Sequence, residues 1–221
     1  MAINIAIDGP AGAGKSTVSR AVAKELGFIY VDTGALYRAV GLNALRLGVD
    51  TKDAEAVANT LRTVQVKLAF VGDEQRVFLN EEDVSEEIRK PEASMAASDV
   101  SAIKEVRDFL FDLQRDIAAK NDCLMDGRDI GTVVLPDAQI KIFLTASAEE
   151  RARRRFIELQ QKGWKVSYES VLDEMKQRDF NDSNREIAPL KPAEDSIIVS
   201  TDGLNLEEGI AKVLQIVRER L

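Results

Sequence analysis

Short apolar runs and longer amphipathic stretches alternate along most of this chain. Ile3–Asp8, Phe28–Val31, Cys123–Asp126, Ile140–Leu144 and Ser196–Ser200 are brief and mostly apolar, as parallel strands buried on both faces are. Between them, residues fall at helical spacing. Val18, Ala21, Val22, Glu25 and Leu26 share one face before Gly27 stops the run, and Leu36, Ala39, Val40, Asn43 and Leu47 share another. Val106, Phe109, Leu110, Leu113 and Ile117 form a third such face, and Ile210, Val213, Leu214 and Val217 a fourth. Strand and helix in alternation predict an α/β fold with a doubly wound parallel sheet flanked by helices.

One segment departs from this rhythm. Val64, Val66, Leu68 and Phe70 occupy every second position, Gly72-Asp73 offers a turn, and Val77 and Leu79 resume the period of two. That pattern predicts an antiparallel hairpin with one apolar face. A hairpin is foreign to a parallel βαβ core, so residues 63–91 read as a small inserted antiparallel β lobe. An edge meander without a role is the competing reading.

Between the first strand and the first helix stands Gly9-Pro10-Ala11-Gly12-Ala13-Gly14-Lys15-Ser16-Thr17, a complete G-x-x-x-x-G-K-[ST] phosphate loop. The strand–loop–helix setting is what turns the string into a site. Its glycines let the backbone wrap an anion with N–H groups inward, and the helix that follows adds its positive N-terminal end. Lys15 is expected to reach the β- and γ-phosphates of a nucleoside triphosphate, and the Ser16 hydroxyl to ligate Mg2+ brought with ATP. A glycine-rich turn that binds nothing is the bland alternative.

Composition removes other chemistries. The 221 residues contain no histidine and one cysteine, Cys123. Histidine-based triads and zinc sites are therefore excluded, as is an internal disulfide, and Cys123 in its apolar setting reads as a packing residue. A net charge of −8 argues against a broad nucleic-acid surface. No apolar run approaches the ~18 residues that cross a membrane, and the chain enters a strand with no basic leader. The expectation is a cytoplasmic, monomeric protein acting on small molecules, with no nucleic-acid or membrane partner.

The remaining chemistry lies in four places. Asp32-Thr33-Gly34-Ala35-Leu36-Tyr37-Arg38 follows the second strand at the carboxyl end, where open α/β sheets place ligands. Thr33 reads as a helix cap, whereas Arg38 is harder to explain that way. Asp126-Gly127-Arg128-Asp129 ends the third strand of the parallel set. An acidic residue there supports Mg2+ through its water shell; a surface ion pair is the plain alternative. Arg151, Arg153, Arg154 and Arg155 crowd one helix, with Glu150 and Glu158 at spacing that would pair them, so a solvated ion-pair face and a phosphate clamp stand level. The polar stretch Gln160–Ser167 lacks periodicity and, with the residues before it, suggests a lid over 155–168. Last, Arg178, Asp179, Asp182 and Arg185 lie in a helix-to-loop exit, where guanidinium forks suit phosphate.

Taken together these motifs resemble the bacterial cytidylate kinases. The resemblance spans nearly the whole chain and rests on IDGPAGAGKST at 7–17, DTGALYR at 32–38, MDGRDIGTVV at 125–134, IKIFLTAS at 140–147 and RDFNDSNREIAPL at 178–190. It implies a P-loop kinase core of one domain over 1–221, an inserted monophosphate-binding lobe, a short lid, and transfer of the γ-phosphoryl group of ATP to CMP or dCMP with Mg2+. It further implies that Arg38, Arg128, Arg178 and Arg185 surround the acceptor phosphate. Ser98, Arg107 and Asp129 would read the cytosine edge, Thr33 and Tyr37 would line the same pocket, and Asp182 would hold the sugar hydroxyls. The family often has Ser where Thr33 stands, which keeps the hydroxyl.

Two rivals are separable on the residues. A kinase acting on a hydroxyl, such as a shikimate kinase relative, needs a carboxylate base at its acceptor and fewer phosphate-directed arginines. A P-loop GTPase switch carries an Asn-Lys-x-Asp signature, which this chain lacks.

Overall fold

The computed structural model describes residues 2–71 and 74–221, so the turn expected at Gly72-Asp73 lies outside the described residues. Five strands, β1 (Asn4–Asp8), β2 (Ile29–Asp32), β6 (Cys123–Gly127), β7 (Ile140–Thr145) and β8 (Ile197–Ser200), form the larger sheet in the order β2-β6-β1-β7-β8. β1 runs parallel to β7 with Ile5 opposite Ile140, and β7 parallel to β8 with Ile142 opposite Ile197. Each strand lies within a residue or two of an apolar run in the sequence. The chain falls into two compact units, one essentially Ile29–Cys123 and the other Ile3–Phe28 with Leu124–Leu221.

In the second of these, α1 (Lys15–Leu26) and α8 (Leu206–Arg218) pack together, with Val18 and Val22 of one and Val213 and Val217 of the other buried. Asn205 and Glu208 close α8 with a reciprocal capping box. α6 (Ala148–Gln161) and α7 (Tyr168–Asn184) pack around Ala152, Val171 and Met175. The helices reach further than the sequence pattern suggests. α6 continues through Gln161 and α7 starts at Tyr168, which leaves Lys162–Ser167 between them. Arg178–Asn184, read as a helix exit, is the last part of α7 itself, and the chain leaves the helix at Arg185. Seven of the 14 residues of α6 and seven of the 17 of α7 are charged, and their apolar stripes are correspondingly narrow.

The other unit is built from α2 (Thr33–Arg46), α3 (Ala54–Thr60), α4 (Pro91–Val100) and α5 (Lys104–Lys120) with a second, three-stranded sheet. That sheet consists of β3 (Val66–Val71), β4 (Glu74–Leu79) and β5 (Glu82–Asp83), antiparallel throughout. Leu79 stands opposite Glu82, and the two residues between them, Asn80 and Glu81, both take positive φ, 49° and 72°. This is the tight turn that a two-residue hairpin needs. The hairpin's apolar face is core: Val66, Val77 and Leu79 are buried with Leu36, Ala39 and Val40 of α2 and Val106 and Leu110 of α5. Leu47, placed by periodicity on the buried face of α2, instead ends that helix and is 59% exposed. α2 lies directly on α4, where a Cβ on Gly41 would come within 2.8 Å of Ala96 Cβ. A glycine there permits the close crossing, and the short-residue pattern of α4 (Ala93, Ala96, Ala97 buried) completes it.

Among the described residues no helix is long and apolar enough to cross a membrane.

Candidate active site

The phosphate loop leaves β1 at Asp8 and enters α1 at Lys15. Gly9 has a φ of 146°, and a Cβ there would stand 1.9 Å from the Leu144 carbonyl oxygen of β7, so only glycine lets the loop start this close to the sheet. Gly14 caps α1 at positive φ, 88°. Lys15 is 6% exposed and donates from Nζ to the Pro10 carbonyl at 2.8 Å. Burial holds the Lys15 ammonium well below its ordinary pKa, and Arg128 pushes the same way, against Asp126, Asp8 and Asp182. Bound phosphates would favour its charged form.

Ser16 Oγ donates to Asp126 Oδ2 at 2.9 Å, which joins the loop to the end of β6. These are hard oxygens suited to Mg2+ and its water shell. Among the described residues no cluster of three or more His, Cys, Asp or Glu side chains could hold a metal. An ion that arrives with a nucleotide and keeps phosphate and water ligands fits this sparse donor set.

Asp8 plays a part that the sequence reading did not assign. Its carboxylate accepts from the backbone N–H of Ile130 at 2.8 Å and of Gly131 at 2.7 Å. It therefore fixes the turn directly after Asp129, a wide helical turn in which Leu135 N–H reaches back five residues to the Ile130 carbonyl at 2.7 Å. Burial pushes the Asp8 carboxyl up to about 6, and the two backbone bonds pull in the other direction. An acid closing the otherwise apolar run Ile5-Ala6-Ile7 was the available signal.

In the same unit, Arg178 of α7 and Arg185 at its exit join Arg128, three of the four expected arginines, around one carboxylate. Arg128 Nε bonds Asp182 Oδ2 at 2.9 Å. Burial raises the Asp182 pKa, but Arg128, then Arg178 and Arg185, draw it below the ordinary value. Arg185 donates to Asp129 Oδ1 at 3.1 Å and to the Ala188 carbonyl at 2.7 Å, where Ala188 turns the chain at φ 49°. Arg128, Arg178, Arg185, Asp129 and Asp182 are thus one electrostatic group.

Helix α6 divides the four clustered arginines. Arg153 and Arg154 pair with Glu150, and Arg155 with Glu158, the ion-pair face that the spacing allowed. Arg151 points inward to the phosphate loop, donating to the Ala11 carbonyl at 2.9 Å.

In the Ile29–Cys123 unit, Asp32 rather than Thr33 caps α2, accepting from Ala35 N–H at 3.1 Å. An ionised oxygen is the better acceptor at that position, and Thr33 becomes the first helical residue, 3% exposed. Asp32 also pairs with Arg38 at 2.6 Å. The Arg107 guanidinium lies 5.8 Å from the Tyr37 ring centre, a cation–π contact, and bonds the Ser101 carbonyl at 3.3 Å. Ser98 is half-buried on α4, where its carbonyl accepts from Ser101 Oγ at 2.9 Å. Cys123 is buried, its thiol pushed up to about 12 by burial, then by Asp122, in keeping with a packing role.

Comparison with known proteins agrees with this chemistry. The cytidylate kinase family model matches residues 5–219. A cytidylate kinase of Caldicellulosiruptor saccharolyticus is 55% identical over 97% of this chain and 95% of its own. One of Bacillus velezensis is 46% identical over 99% of this chain and 97% of its own. A solved structure of an uncharacterised protein from Eubacterium ventriosum superposes with a TM-score of 0.55 at 14% identity over the whole of both chains, a likeness of fold alone. With the family model matched over residues 5–219 and such relatives covering nearly the whole length, the chain belongs to the cytidylate kinase family.

Proposed function

We propose that this protein transfers the γ-phosphoryl group of ATP to CMP or dCMP, giving ADP and CDP or dCDP. The observation that carries this reading is the hydrogen bond from Ser16 Oγ to Asp126 Oδ2 at 2.9 Å, which joins the phosphate loop to the strand end two residues before Arg128. Arg128 in turn bonds Asp182 at 2.9 Å, so the loop and the arginine-bearing group are linked through β6. Transfer between two phosphates requires donor-side and acceptor-side cations linked in this way.

A phosphate monoester has a second pKa near ~6, so at neutral pH the acceptor is already largely a dianion. It needs no general base, which suits a chain without histidine. What it needs is relief from repulsion between two anions, and alignment of the attack. Lys15 is assigned to the donor phosphates, with the loop N–H groups of residues 9–17. Arg38, Arg128, Arg178 and Arg185 are assigned to the acceptor phosphate, and Asp182 to the sugar hydroxyls. Asp129, Arg107 and Ser98 are assigned to the cytosine edge, with Thr33 and Tyr37 beside it. A carboxylate accepts from the exocyclic amine of cytosine, whereas uracil would present a second acceptor. Ser16, with Asp126 behind it, would hold Mg2+, which supplies charge neutralisation on the β- and γ-phosphates when bound. Residues 63–91 are proposed as the lobe over the monophosphate, and 155–168 as a lid that excludes water. A cytoplasmic monomer without nucleic-acid or membrane partners is the setting we assign.

A coupled assay for ADP with CMP, dCMP, UMP and AMP as acceptors tests the reading. ADP formation that depends on CMP or dCMP and is weak with AMP supports it. Equal rates with and without any nucleoside monophosphate would overturn it.

A further inference from the structure

We propose that Arg151 and Asp179 form a strut that aims one phosphate-binding N–H of the loop and ties the loop to helix α7. Arg151 is a positioning residue in this view, acting through the backbone and touching no substrate.

The four arginines of α6 differ in surroundings. Arg153, Arg154 and Arg155 take acidic partners on their own helix, but the Arg151 side chain is only 5% exposed. Every bond of its guanidinium leads off α6. Nε donates to the Ala146 carbonyl at 2.9 Å, and Nη1 to the Ala11 carbonyl at 2.9 Å. Asp179 receives the fork, Nη1 to Oδ1 at 3.0 Å and Nη2 to Oδ2 at 2.5 Å. The loop also rests on these helices by packing, since a Cβ on Gly12 would come within 3.2 Å of both Arg151 Cβ and Met175 Cε.

The bond to Ala11 has a directional consequence. The Ala11 carbonyl and the Gly12 N–H belong to one planar trans peptide unit and point opposite ways. Anchoring the oxygen on Arg151 therefore turns the Gly12 N–H away from α6, toward the side where a phosphate would sit in a loop of this kind. A glycine-rich loop resists such fixing poorly on its own, because its backbone is the most permissive available. Asp179 in turn stands between Arg178 and Asp182 on α7. The same contact that orients a donor-side N–H thus holds the helix that carries acceptor-side charges. The inference rests on the assignment of ATP to the phosphate loop.

Equilibrium binding of ATP to the full chain, with and without Mg2+, reads the strut directly, and steady-state assays with CMP run alongside. Arg151→Lys keeps the charge and loses the fork; Asp179→Asn keeps the shape and loses the charge. Each is expected to weaken ATP binding by about tenfold or more. The double variant is expected to be no worse than the weaker single, because both changes cut one connection. Melting curves identify any variant that fails to fold, and the other single then carries the test. Unchanged ATP affinity in folded variants, or losses that add in the double, would overturn the strut. So would a fall in kcat with unchanged ATP affinity, the mark of general loosening. Wild-type protein that binds ATP but makes no CMP-dependent ADP would sink the substrate assignment and leave the strut standing on the binding data.

Discussion

Asp129 and Arg185 meet at 3.1 Å with both side chains 6% exposed. The family resemblance gives them separate tasks, base for one and phosphate for the other, yet they are one buried ion pair. Each holds the other in place, so the residue proposed to read the base and one proposed to clamp the phosphate are set by a single contact. Removing one partner leaves a buried charge uncompensated, at a cost of about 3–5 kcal/mol.

Arg185→Ala is therefore expected to lower kcat/KM for CMP and to lower the melting temperature, with little change in ATP affinity. Separate titrations of the two nucleotides check this. A selective defect in ATP binding would move Arg185 to the donor side.

Asp129→Asn keeps the size of the side chain and exchanges a charge-assisted bond for a group that can face either base. CMP efficiency should fall about tenfold or more, and UMP efficiency, which loses the support of Arg185 but no bond to the base, by a smaller factor. Measuring kcat/KM for both under saturating MgATP decides the matter, and equal losses would show that Asp129 orders the site without reading the base.

Lys15→Met removes the buried loop cation. Turnover should be lost by several kcal/mol of transition-state stabilisation, about 3 or more, with the fold retained. Near-normal turnover in a folded variant would contradict the role given to the loop.

Asp8 makes stability depend on pH in a predictable direction. Burial raises its carboxyl to about 6 in the folded chain against an ordinary 3.8. A raised acid binds its proton more tightly in the folded state, so its contribution is full below pH 3.8 and is lost as pH rises through about 6. Asp8→Asn does not titrate. Between those limits the wild type should lose roughly 3 kcal/mol relative to the variant. Urea unfolding of both proteins across pH 4 to 7 measures it, and a constant difference would show that Asp8 is not perturbed.

The hairpin is joined to the residues that carry Arg38. Gln75 of β4 accepts from Asp32 N–H at 2.9 Å and donates to the Asp32 carbonyl at 3.3 Å, and Asp32 both caps α2 and pairs with Arg38. CMP should protect the amides of β3 and β4 in hydrogen exchange. Protection that follows ATP alone, or neither nucleotide, would argue for a purely structural hairpin.

The sheet was readable because β1 and β6, buried along nearly their whole length, and their neighbours leave short, mostly apolar runs, and the hairpin because its period of two stands out between helices. Helix α4 was not, since Ala93, Ala96 and Ala97 bury an alanine face too weakly apolar to mark a period. The charged sequence of α7 hid a helix in the same way. Loop lysine and arginines were legible as residue types suited to phosphate. Their pairing was not: Arg128 with Asp182 and Arg185 with Asp129 join residues more than 50 positions apart. Asp8 and Arg151 act on backbone groups, and a sequence does not show which carbonyl or N–H a side chain will meet.

The central claim is the destination of one phosphoryl group. ATP labelled at the γ-position, incubated with the protein, Mg2+ and CMP, should deliver its label to CDP, with ADP formed in equal amount. Separation of the products by chromatography reads both. Label recovered as inorganic phosphate, or label remaining in ATP while CMP is in excess, would contradict the account.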